Sequence, residues 1–257
     1  MTAPQAVNRV TGRAALRRHQ LVGLSQAGWR QVLARAWRDD QRDCLQHWVD
    51  HSLPLVLARP DPLLRDGPPC GTDPLALGLP APSRWGRQRL SLQVNLSDVQ
   101  YFDELPSAVE VAPLLRPTVQ DAWLGLCSDL ARLGLQPQVY GSFGWQQLTG
   151  LHYLRPGSDI DLLLPVDGPA QADAATAALV GSGIGQPRLD GELVFADGSA
   201  VAWREWRAWR AAPSHPDGDG LQLLIKRLDG VTLESGTAWL DRAQLPLAQL
   251  PAALSCR

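Results

Sequence analysis

Cysteine is scarce in this 257-residue chain, and its four cysteines, Cys44, Cys70, Cys127 and Cys256, stand far apart. None of the paired spacings of a zinc site or a dithiol redox motif is present, so these are expected to be reduced thiols in a cytosolic protein. Long apolar runs are missing as well. Nothing approaches the ~20 residues needed to span a bilayer, and the opening "MTAPQAVNRVTGRAALRRHQ" lacks the apolar centre of a signal peptide. A cytoplasmic protein with no membrane partner is the resulting expectation. Net charge of one sign is also lacking: 24 basic against 26 acidic residues leave a formal charge of −2. No global attraction to nucleic acid or an anionic surface is available, and a phosphate-bearing partner must be met by local groups. Lysine is almost absent, Lys226 being the only one.

What is present is an ordinary globular composition, 45% hydrophobic and 19% charged, in a length that suits one large domain or two modest ones. In the first third, Trp29, Val32, Leu33 and Trp37 recur at helical spacing, and "LPLVLARP" reads as a short strand. "RQRLSLQVNL" alternates Leu90, Leu92, Val94 and Leu96 with polar residues, as a half-buried strand does. A boundary is expected between residues 98 and 115, giving an accessory domain over 1–105 and a catalytic domain over 106–257.

From Thr118, a candidate N-cap, Val119, Ala122, Trp123, Leu126, Cys127, Leu130 and Leu133 mark one helical face, closed by Gly134. A strand "PQVYGS" follows, then "FGWQQLTG", the strand "DIDLLLPV", an alanine-rich helix around "QADAATAALV", and a hairpin. The hairpin pairs "RLDGELVFA" with "AVAWREWRAW" across a "DGS" turn. A last strand, "GLQLLIKRL", precedes a loose tail. The fold class is therefore α+β: a mixed sheet flanked by helices in the C-terminal part, with a smaller N-terminal α/β domain.

The chemistry concentrates in "RPGSDIDLLLPV". Asp159 and Asp161 sit at the mouth of a strand, where alternate residues share a face and lie ~6.6 Å apart. At an effective dielectric near 20 that proximity costs roughly 2.5 kcal/mol, and a cation between the acids turns it into binding energy. Upstream, a strand ends in Tyr140-Gly141-Ser142. Glycine allows backbone amides to approach a phosphate and the serine adds a donor, while paired aspartates suit Mg²⁺ bridging phosphates. Asp217 and Asp219 in "HPDGDG" repeat the spacing without a strand behind them and read as a loop.

The order strand, Gly-Ser, strand opening Asp-x-Asp resembles the polymerase-β-like nucleotidyltransferases. Two departures stand out: Phe143-Gly144-Trp145 where many members place a basic residue, and a long gap from Ser142 to Asp159. The block "VYGSFGWQQLTGLHYLRPGSDIDLLLPV", with "RLDGELVFADGSAVAWREW", "LLIKR" and, upstream, "RHQLVGL", "LPLVLARP" and "ALGLPAP", is similar instead to the malonate decarboxylase holo-acyl-carrier-protein synthases, the phosphoribosyl-dephospho-CoA transferases.

That resemblance implies attack by a serine of the decarboxylase's acyl-carrier subunit on the α-phosphate of 2'-(5''-triphosphoribosyl)-3'-dephospho-CoA, with loss of pyrophosphate. Composition and spacing alone stop at metal-dependent transfer of a nucleotidyl-type group. The alternatives are a generic ATP-dependent nucleotidyltransferase and a non-catalytic nucleotide-binding module.

The expected site comprises Asp159 and Asp161 as ligands of two Mg²⁺ ions, Gly141 and Ser142 on the phosphates, and Lys226 neutralising the triphosphate, with a surface lysine as the alternative for the last. A third acid is expected on a neighbouring strand, with Asp190, Glu192 and Glu205 as candidates. Glu205 is favoured because the period-two reading of "AVAWREWRAW" sets it among apolar neighbours, where a carboxylate requires a cation. Arg155 is a weaker candidate for the pyrophosphate. His19, His47, His51, His152 and His215 show no ligand spacing, and Trp203, Trp206 and Trp209 read as core before they read as a stacking surface.

Overall fold

The structure, a computed structural model, describes residues 16–59, 74–212 and 222–243. It divides into two compact units, Met1–Glu104 and Leu105–Arg257. Cys70, Cys256, His215 and the "HPDGDG" loop lie outside the described residues.

In the first unit, β1 (Leu21–Leu24) leads into α1 (Gln26–Leu33) and α2 (Asp39–Asp50), followed by β2 (Leu55–Leu57), β3 (Pro74–Pro80), β4 (Arg89–Asn95) and β5 (Val99–Asp103). The sheet order is β4-β3-β2-β1-β5 and all its pairings are antiparallel. This corrects the expected α/β domain: no parallel crossover exists among these strands, so the unit is α+β. Alternation places Leu75, Leu77 and Leu79 of β3 and Leu90, Leu92 and Val94 of β4 in the core. Ser25 opens α1 by accepting the Gly28 amide at 3.2 Å, and the helices bury Trp29, Val32, Cys44, Leu45 and Trp48.

The second unit begins with α3 (Pro117–Arg132), whose N-cap is Arg116 instead of the expected Thr118, which lies inside the helix behind Pro117. Proline suits the first helical position because its missing N–H has no intrahelical role there. Then come β6 (Gln138–Tyr140), α4 (Gly141–Thr149), β7 (Ile160–Pro165), α5 (Pro169–Gly181), β8 (Leu189–Val194), β9 (Ala200–Ala202), α6 (Trp203–Ala211), β10 (Gln222–Lys226), β11 (Val231–Ser235) and α7 (Gly236–Ala243). The mixed sheet runs β11-β10-β9-β8-β7-β6; only β7 and β8 are parallel, joined through α5.

Two elements differ from expectation. "AVAWREWRAW" is strand for only three residues and then becomes α6, because Trp203, Trp206 and Trp209 repeat every third residue and face the core as a helical stripe. The loose tail contains β11 and α7, anchored by the fully buried Trp239.

The sheet's two faces carry opposite chemistry. Ile160, Leu162 and Leu164 of β7, Leu189 and Leu193 of β8, and Leu223 and Ile225 of β10 join Trp123, Leu130, Ala175, Trp206 and Trp239 in one apolar core. Alternation then aims Asp161, Asp190, Glu192 and Lys226 at the opposite face. No helix among the described residues is long and apolar enough to cross a membrane.

Candidate active site

Asp161 is held by pairing on both sides. In the antiparallel ladder it stands opposite Tyr140, and in the parallel ladder opposite Asp190. The first pairing delivers the start of α4 to its carboxylate. Gly141 has φ +64°, and a Cβ there would lie 2.0 Å from Asp161 Oδ2, so no side chain fits. The glycine is thus required by the carboxylate as well as by the turn. Ser142 follows in the first turn of α4, half-buried, its hydroxyl free of hydrogen bonds among the described residues. No side chain caps this helix, which leaves its first amides open.

The second pairing brings the acids together. Asp190 is fixed by the Gly191 amide, which donates to its Oδ1 at 2.9 Å. Arg188 Nη2 donates to Asp159 Oδ2 at 2.5 Å and to Asp190 Oδ2 at 3.2 Å. Asp161 receives no such partner among the described residues. Burial first, then the charges of Asp190, Asp159 and Glu192, push its carboxyl up to about 6, with Arg188 opposing. Among the described residues, a partly buried carboxylate with three others around it, opposed by the Arg188 guanidinium, is short of positive charge.

Glu192 lies one pleat further along β8, 3% exposed, and accepts from Lys226 Nζ at 2.8 Å. The solitary lysine is therefore the partner of a buried acid on the same sheet face as Asp161. Glu205 is not the strand residue among apolar neighbours that was expected: it occupies the first turn of α6, exposed, and makes no hydrogen bond or ion pair among the described residues. The carboxylate that burial obliges to meet a cation is Glu192, and Lys226 is that cation.

Asp190 is one of the three candidate acids of the sequence, whereas Arg188 has no sequence signal; the place of both beside β7 depends on the "PRLDGE" segment running parallel to it, which no local pattern announces. Arg155 is exposed and uses its amide to bond Ser158. Trp203 and Trp206 are buried in the core, and His47 and His51 stack on each other, ring centroids 3.9 Å apart.

As for metal, no group of three or more His, Cys, Asp or Glu side chains among the described residues forms a ready binding set. The donor chemistry nevertheless suits a hard divalent cation. Asp159, Asp161 and Asp190 offer only oxygens, they carry excess negative charge, and a cationic group already lies between two of them.

Comparison with known proteins covers residues 17–237. Residues 104–237 match the family model described as phosphoribosyl-dephospho-CoA transferase MdcG C-terminal domain, and residues 17–104 match the corresponding N-terminal domain. This chain belongs to the phosphoribosyl-dephospho-CoA transferase family. A phosphoribosyl-dephospho-CoA transferase of Xanthomonas campestris pv. campestris (strain 8004) is 36% identical over 195 residues, covering 76% of this chain and 84% of that protein. A transferase of the same name from Bradyrhizobium diazoefficiens is 35% identical over 231 residues, 88% of this chain and 91% of that one. No solved structure matches. The two family models meet at residue 104, where the chain also divides into its two units.

Proposed function

We infer that this transferase moves the phosphoribosyl-dephospho-CoA group from its triphosphoribosyl donor to a serine of an acyl-carrier subunit of malonate decarboxylase, releasing pyrophosphate. The transferred group follows from the family; the carrier and the leaving group follow from the sequence resemblance. The observation that carries the chemistry is the meeting of Asp161, pressed against Gly141 and short of positive charge, with the uncapped start of α4. An anion-binding helix terminus beside an acid cluster is what a site for phosphates and a cation requires.

In this reading the first amides of α4 and the Ser142 hydroxyl take the oxygens of the leaving pyrophosphate. Asp159, Asp161 and Asp190 would hold Mg²⁺, which when bound draws negative charge off the reacting phosphate and eases ionisation of the attacking hydroxyl. Asp190, oriented by the Gly191 amide, takes the proton from the acceptor serine at Oδ2. Lys226, kept on the same face by Glu192, lies where it can add positive charge to the polyphosphate.

Intact-mass measurement of a purified apo-carrier tests the reading. After incubation with the enzyme and Mg²⁺, the carrier should gain one phosphoribosyl-dephospho-CoA mass from the triphosphoribosyl donor and nothing from ATP. Equal labelling from ATP would make the protein a generic nucleotidyltransferase.

A further inference from the structure

Arg188 lies just ahead of β8, and its carbonyl accepts the Ile160 amide at 2.9 Å. Its backbone is therefore tied to the end of β7 that carries the acids. Its side chain is not tied in the same way, being 55% exposed. A single nitrogen, Nη2, touches both Asp159 and Asp190. A guanidinium thus fills the gap between two carboxylates where the function inferred above needs a divalent ion. The two cations exclude each other, sterically and by like charge. A half-exposed arginine pair is weak, whereas an ion held directly by carboxylate oxygens is strongly bound.

We propose that Arg188 is an interim counter-ion and a donor-binding residue. In the free enzyme it neutralises Asp159 and Asp190. When the divalent ion enters it is displaced, and from its anchored position it turns its planar donors to the donor's phosphates, a geometry for which guanidinium is suited. The proposal rests on the assignment of these acids as the metal site.

Two opposite effects follow from removing the side chain. Metal binding no longer competes with a resident cation, and the donor loses a phosphate contact. The test uses the full chain, with Mn²⁺ affinity read by electron paramagnetic resonance in the absence of donor, and steady-state kinetics on the carrier. Arg188→Gln should bind Mn²⁺ about threefold or more tightly and raise the donor KM about tenfold, with a smaller change in kcat. Arg188→Lys should restore part of the KM, since it keeps a charge but loses the planar fork.

Mn²⁺ affinity that is unchanged or weakened in Arg188→Gln, while the wild type binds Mn²⁺ and depends on it, overturns the proposal alone. An unaltered donor KM in that variant does the same. A wild type that binds no Mn²⁺ and transfers fully in chelator overturns both the metal assignment and the proposal.

Discussion

Asp161 carries a penalty that its neighbours do not relieve. Its carboxyl is raised from an ordinary value of 3.8 to about 6, which in a fully buried group would correspond to ~3 kcal/mol; partial exposure reduces this to ~1–2 kcal/mol. Because the folded value lies above the unfolded one, the ionised group destabilises the fold fully above pH 6. The penalty fades between pH 6 and 4 and vanishes below both values. Asp161→Asn should therefore abolish transfer while stabilising the metal-free protein by ~1 kcal/mol at pH 8, with the gain shrinking toward pH 4. Denaturant melts at several pH values in chelator measure this, and a mutant less stable at pH 8 than the wild type contradicts it.

The ranking of third acids also belongs to this scale. Asp190 faces Asp161 in register, whereas Glu205 is an exposed helix residue. Asp190→Asn is expected to lower turnover by ~100-fold or more, the scale of losing a general base, and Glu205→Gln by less than ~3-fold. Parallel kinetics on the two variants decide it.

At the scale of the element, the start of α4 depends on Gly141 in two ways, and the helix contains its own control. Gly150, which closes α4, has a similar positive φ of +70°, but a Cβ there would meet nothing within 4 Å, while the corresponding Cβ at Gly141 would meet Asp161. Gly150→Ala should cost only the left-handed backbone strain, ~1 kcal/mol. Gly141→Ala should cost ~2–3 kcal/mol and also push Asp161 out of place, with a large loss of kcat. Thermal melts and kinetics on the pair separate strain from clash. Equal effects in both would mean that the close approach to Asp161 has no catalytic weight.

α6 teaches a related lesson about elements. Trp203, Glu205 and Arg207 satisfy a period of two as well as Trp203, Trp206 and Trp209 satisfy a period near three, and only the burial of Trp203 and Trp206 selects the helix. A ten-residue segment with tryptophan at every third position is ambiguous until a core exists for it to face.

At the scale of the whole molecule, each unit has its own apolar centre. Leu21, Val32, Leu45, Trp48, Leu77 and Leu92 are buried in the first unit, and Trp123, Leu130, Ile160, Trp206, Ile225 and Trp239 in the second. A fragment spanning residues 105–257 should fold cooperatively by near-ultraviolet circular dichroism and, on the metal assignment inferred above, bind Mn²⁺ as the full chain does, since Asp159, Asp161 and Asp190 all lie within it. A fragment without tertiary signal would show that the second unit depends on the first.

Cys44 and Cys127 are free and buried, and burial pushes their thiols up to about 12 and about 11. They should react with thiol reagents only on unfolding.

The sequence by itself determined what short spacing determines. Gly141-Ser142 after a strand, Asp159-x-Asp161 at the mouth of another, the amphipathic face of α3 and the leucine alternation of β4 each depend on neighbours a few residues away, and so each was legible. Lys226 stood out by being alone. What only the tertiary structure decided is everything carried by strand pairing across long separations. The parallel register of β7 and β8 brings Asp190 opposite Asp161 and Arg188 onto Asp159, and Lys226 is joined to Glu192 across 34 residues of chain. Register is set by which side chains bury together across the sheet, and a one-residue slip would turn Asp190 and Glu192 from the open face into the core. No local pattern contains that information, so Asp190 stood as one of three candidate acids, and its place opposite Asp161 and its bond to Arg188 became visible only once the sheet was assembled.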